Sequence, residues 1–146
     1  MYNLTITKKQ LTLIGQACEL MSRIQGGQWR EILEHLPLSK DINYDEYHQD
    51  VDSMTNLLSK YMIDNIDGWH SSFGVGCDKI TEDHDILYDL YCVIRNKLSW
   101  ESAVETGIIE SVNSPRKYPE MMFVSYDTPY HWGSEPLAIL KNDVSL

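Results

Sequence analysis

Apolar residues recur with a helical period in four stretches of this chain, one of them short, and with a strand period only near its ends. The longest stretch covers residues 81–100. There Leu87, Leu90, Ile94 and Leu98 keep the three-and-four spacing of a buried helical stripe, widened by Ile86, Tyr91 and Val93. Thr81 is the expected N-cap. Glu82, Asp83 and Asp85 put negative charge at the positive end of the helix dipole, and Arg95 and Lys97 put positive charge toward the other end. This helix is the expected centre of the fold. Another begins at Thr7-x-x-Gln10, the spacing of a capping box, carries Leu11, Ile14, Cys18 and Met21 on one stripe, and ends at Gly26-Gly27. A short helical piece with Trp29, Ile32, Leu33 and Leu36 on one side follows and stops at Pro37. A further helix is expected over residues 43–62, capped by Asn43 and stepping through Tyr44, Tyr47, Val51, Met54, Leu58 and Tyr61.

The strand signals are weaker. Tyr2, Leu4 and Ile6 alternate with Asn3 and Thr5, and residues 121–126 and 136–140 have extended character. Ile108, Ile109 and Val112 predict a short buried segment before a turn-rich connection over residues 114–119. The expected fold class is therefore α+β: a mainly helical single domain over residues 1–146, with three to four helices and a small antiparallel sheet from the N- and C-terminal strands.

Composition narrows the classes of partner. The chain has 146 residues, 42% of them apolar, and a net charge of −10 from 22 acidic and 12 basic residues. Such a field repels nucleic acid and anionic membranes, so direct nucleic-acid binding is not expected, while a basic protein partner is electrostatically suited. Between residues 41 and 78 the only basic side chain is Lys60, which predicts an acidic face around Asp45, Asp50 and Asp52. No run of apolar residues is long enough to span a membrane, and the first residues lack the apolar core of a signal peptide. Cys18, Cys77 and Cys92 cannot all pair and form no CxxC, so a reduced, cytosolic compartment is the expectation.

Residues 64–80 hold three glycines, Trp69 and Phe73 with no sustained period, the composition of a functional loop in a compact domain. Gly74 and Gly76 permit close backbone approach just before the central helix, but no GK[ST] or GxGxxG accompanies them. Trp69 beside His70, Ser71 and Ser72 offers a stacking face with hydrogen-bonding neighbours, although the same aromatics would also pin a loop to a core. Arg23, Arg30 and Arg95 lie on or beside apolar helices and could grip a phosphate or carboxylate; ion pairing with the abundant acids is the plainer role. The five histidines are scattered, with no HExxH, no zinc spacing and no GxSxG elbow, so neither a metal, a cofactor nor a catalytic set is implied.

Three segments together resemble a group of small proteins encoded by tailed bacteriophages. They are Ser22-Arg23-Ile24 with Gly27-Gln28-Trp29; Tyr88-Asp89-x-Tyr91-x-Val93-Ile94-Arg95; and Tyr126-Asp127-x-Pro129 followed by Glu135-Pro136-Leu137. The resemblance implies a phage accessory protein in the host bacterial cytoplasm, of a kind that often acts against host defence. The expected function is non-enzymatic sequestration of a nucleotide-like signalling ligand by Arg23, Gln28, Arg30, Trp69, His70, Ser71, Ser72, Gly74, Gly76 and Arg95. The alternatives are an acidic protein that blocks a basic host defence protein, and a small hydrolase or transferase. Apolar stripes on the long helices also leave room for a homo-oligomer.

Overall fold

The computed structural model describes residues 2–66, 72–111 and 124–141. Three α-helices carry it: α1 (Lys8–Gln25), α2 (Tyr44–Ser59) and α3 (Asp83–Glu105), with 3-10 helices at Trp29–His35, Ile63–Asn65 and Val124–Tyr126. Among the described residues no helix is long and apolar enough to cross a membrane.

Local signals set most of the boundaries. The Thr7 hydroxyl accepts the Gln10 amide at 3.2 Å and the Gln10 side chain accepts the Thr7 amide at 2.8 Å, a reciprocal capping box that starts α1. Its end is marked by Gly27, whose φ of 93° is open to glycine and strained for other residues. Asn43 caps α2 as expected, its side-chain oxygen accepting the amides of Asp45 and Glu46. The central helix starts one residue later than the Thr81 cap implies. Glu82 holds the N-cap position with no side-chain capping bond, and the helix continues past Trp100 to Glu105. Between Trp29 and Leu36 the expected helical piece is a 3-10 helix, closed before Pro37.

α1 and α3 pack against each other and run antiparallel. The Ser22 hydroxyl donates to the His84 carbonyl at one end, and Lys8 pairs with Glu105 at 2.6 Å at the other. Midway, Gly15 lets the helices approach so closely that an added methyl would stand 2.8 Å from Ile94 Cγ2. Ile94, 2% exposed, fills that contact. Beyond it, Trp100, Ala103 and Ile109 form a buried cluster, with Tyr126 meeting Trp100 edge-on at 5.4 Å between ring centres. Of the segment predicted to be buried after α3, Ile109 is buried, Ile108 is exposed and Val112 lies outside the described residues.

The expected antiparallel sheet does not form: among the described residues there is no strand, and the class is helical rather than α+β. The N-terminal stretch alternates in sequence, yet Tyr2 and Leu4 are exposed and no second strand lies beside them. Its expected partners are otherwise engaged. Residues 124–126 coil into a 3-10 turn, and the carbonyls of Ser125 and Asp127 accept from the Asn96 side chain at 3.1 and 2.9 Å. A backbone whose acceptors are taken by a helix side chain has no ladder to offer, and an isolated alternating run cannot supply both strands. Residues 121–123 of the predicted strand lie outside the described residues.

α2 departs from expectation differently. Val51 and Thr55 are buried, but Tyr44, Met54, Leu58 and Tyr61 on the predicted core stripe are exposed. The helix is tied to the rest through Arg30. This guanidinium is 4% exposed, donates to the Thr55 hydroxyl at 2.8 Å and pairs with Asp52 at 3.1 Å.

Candidate functional site

Antiparallel packing brings one stripe of α1 against one stripe of α3 and leaves a groove of about 330 Å³ between them, at the small end of ligand pockets. Thr12, Gly15, Gln16 and Glu19 come from α1; Tyr91, Ile94, Arg95, Leu98, Ser99 and Ser102 come from α3. Tyr126 closes one side, positioned by the Asn96 hydrogen bonds to its neighbours and by its edge contact with Trp100.

Charge is concentrated at one end. Glu19 receives Arg23 through both Nε, at 3.1 Å, and Nη2, at 2.9 Å, and lies against Tyr91. Burial pushes the Tyr91 hydroxyl above its ordinary pKa and nearby Glu19 adds to the shift, while Arg95 beside it acts in the opposite direction. With Glu19 so engaged, Arg95 has no carboxylate within salt-bridge distance among the described residues. Its guanidinium stacks 4.9 Å from the Tyr91 ring centre, Nη2 makes a long 3.6 Å contact to Cys92 Sγ, and the buried Nε meets no hydrogen-bond partner. In a chain with an excess of ten negative charges, an arginine without a carboxylate among the described residues is unusual.

Thiol chemistry at this site is suppressed. Burial pushes the Cys92 thiol upward more than neighbouring Arg95 draws it down, and burial does the same to Cys18. Among the described residues no group of three or more His, Cys, Asp and Glu side chains is placed to hold a metal ion.

The other sequence-predicted residues fall into separate groups. Arg23, Gln28 and Ser72 form a chain, with Arg23 donating to Gln28 and Gln28 to Ser72, each at 3.0 Å. Desolvation opposes the charge of Arg23, but hydrogen bonding and ion pairing to Glu19 outweigh it and leave the pKa above its ordinary value. Arg30 is committed to Thr55 and Asp52. The Gly76 amide, in the loop expected to permit close backbone approach, donates to both carboxylate oxygens of Asp85 at 2.9–3.0 Å, while Gly74 has open space around it. Asp85 precedes Arg95 by ten residues, about 15 Å of helix rise, so the glycine loop and Arg95 do not share one hollow. Trp69, His70 and Ser71 lie outside the described residues.

Sequence reasoning missed the role of the acidic residues on α3. Asp89 is 4% exposed, more buried than the apolar Leu87 and Leu90 beside it. Its carboxylate accepts the amides of Trp132 at 3.0–3.1 Å and Gly133 at 2.9 Å; about two turns earlier, Glu82 accepts the Ser134 amide at 3.0 Å. A methyl on Gly133 would meet the Ile86 side chain at 2.8 Å and its backbone at 3.0–3.1 Å, so only glycine lets this segment lie flat on α3. The visible signal was an aspartate inside an apolar helical stripe, paired at a distance with a Trp-Gly dipeptide.

No family model matches the chain, and no curated protein or solved structure matches it.

Proposed function

We propose that this chain is a non-enzymatic binding protein that captures a small nucleotide-like ligand in the groove between α1 and α3, and does so as a phage protein acting against host defence. The observation that carries the reading is Arg95, a guanidinium with no carboxylate partner among the described residues, on a groove of ligand size. Capture rather than turnover is favoured by the lining itself. Its one carboxylate, Glu19, is held by Arg23, and the nearby thiol of Cys92 is kept protonated by burial. The phage setting rests on the three sequence segments alone. Incubating the protein with a mixture of nucleotides, washing, and heating it to release what is bound tests the reading. Unmodified ligand at a fixed ratio to the chain is the expected result; converted ligand, or none, defeats it.

A second reading has its own observation. On α2, Glu46 and Asp50 share a face with the exposed Met54 and Leu57, an acidic half followed by an apolar half. Such a face suits a basic, amphipathic segment of a host protein. Reversing the charge of Glu46 and Asp50 would then abolish activity against the host while leaving ligand capture intact.

A further inference from the structure

The groove has two chemically different ends, and the register of the helices fixes which is which. The ends of α1 and α3 are tied by Ser22 to His84 and by Lys8 to Glu105. Glu19 therefore lies level with Tyr91 and Arg95, and Thr12 lies toward Leu98 and Ser102. On α3, Arg95, Ser99 and Ser102 follow one another at i, i+4 and i+7, one stripe about 10 Å long. The guanidinium is at one end of that stripe and hydroxyls are at the other. Ile94, Leu98 and Gly15 floor the middle, and Tyr126 walls it.

The charge balance is equally specific. Arg23 is neutralised by Glu19 and Glu31, at 2.9 and 3.4 Å, so among the described residues Arg95 is the groove-lining cation left to meet an anion. A single anionic group on a ligand meets it, and a phosphate monoester, at about −1.5 to −2 near pH 7, already brings more charge than Arg95 offsets. Every additional negative group would face Glu19 and the field of a chain at −10, with no cation to compensate.

We infer that the groove takes a ligand with one terminal anionic group and a neutral hydrogen-bonding end about two helical turns away, of the nucleoside monophosphate class, and discriminates against polyphosphates. This inference rests on the capture reading above and specifies its ligand. The phosphate monoester sits on Arg95, the sugar crosses the apolar floor beside Tyr126, and the base edge reaches the hydroxyls of Ser99, Ser102 and Thr12.

Calorimetric titration of the full chain with the four common ribonucleoside monophosphates, their nucleosides and their triphosphates, free of divalent metal, tests it. At least one monophosphate is expected to bind, and its nucleoside and triphosphate to bind at least tenfold more weakly. Arg95→Met should reduce the monophosphate to the level of its nucleoside. Ser102→Leu, at an exposed position that leaves the helix core untouched, should block the far end and weaken binding at least tenfold even if the arginine variant fails to fold. A triphosphate binding as tightly as the monophosphate, through Arg95, overturns the inference and leaves the capture reading standing. Monophosphate binding unchanged in Ser102→Leu or in folded Arg95→Met also overturns it. Failure of every nucleotide and nucleoside to bind removes both.

Discussion

Replacing Asp89 with alanine is the sharpest test of how the chain after α3 is held. The carboxylate is 4% exposed and accepts two backbone amides, that of Gly133 at 2.9 Å and that of Trp132 shared between its two oxygens. A hydrogen bond to a charged group contributes about 1.5–3 kcal/mol, and an amide left buried without an acceptor loses a similar amount. Gly133 is buried and bears the full loss, whereas Trp132 is 48% exposed and its amide can turn to water. Against this stands the desolvation of the carboxylate itself, which alanine relieves. The net expectation is a loss of about 2–3 kcal/mol for Asp89→Ala, and about half that for Asp89→Asn, which keeps one acceptor in place. In urea, with a slope of about 2 kcal/mol/M, alanine should lower the midpoint by roughly 1–1.5 M. Hydrogen exchange at the Trp132 and Gly133 amides should speed up in the same variant. An unchanged midpoint together with unchanged protection of those two amides would refute the reasoning.

Gly133→Ala acts on the same contact from the other side. Its methyl meets Ile86 backbone atoms at 3.0–3.1 Å, so the expected loss is about 1–3 kcal/mol by thermal or urea unfolding, and equal stability would show that the segment does not lie on α3. Asp52→Ala removes one partner of the buried Arg30 guanidinium; because Asp52 is largely solvent-exposed, the expected loss is only about 1 kcal/mol. Alkaline pH should destabilise the fold. Burial raises Cys18, Cys92, Tyr88 and Tyr91, so the unfolded chain gives up these protons first. The stabilisation is full below the ordinary cysteine value of about 8.5 and is lost as pH climbs through the raised folded values. Urea midpoints measured from pH 7.5 to 10 should fall, and fall less steeply in the double variant Cys18→Ala/Cys92→Ala; a flat profile contradicts this.

The helices were legible because their signals are local. Thr7 with Gln10, Asn43, and the Gly26-Gly27 pair each act within one turn of the chain. The sheet was misread because a strand needs a partner, and nothing within residues 1–6 or 121–126 reveals that Asn96 claims the carbonyls around Tyr126. The stripe of α2 was read as core on the same period that marks α3, since periodicity identifies an apolar face without saying what covers it. Of the proposed site, Arg95 was picked out as one of three arginines, but its distinction is relational. Among the described residues, Arg23 and Arg30 found carboxylates in the fold and Arg95 did not. The groove residues Thr12, Gln16, Ser99 and Ser102 carried no signal in sequence, because they become neighbours only through the antiparallel register of α1 and α3.

The central claim, that the guanidinium of Arg95 is kept free to hold a small anion, is tested most directly by native mass spectrometry of the protein taken from infected or expressing cells. The wild-type chain is expected to carry a bound small molecule that is absent from folded Arg95→Met purified in parallel. Wild-type protein with nothing bound, or the same added mass on both proteins, would contradict it.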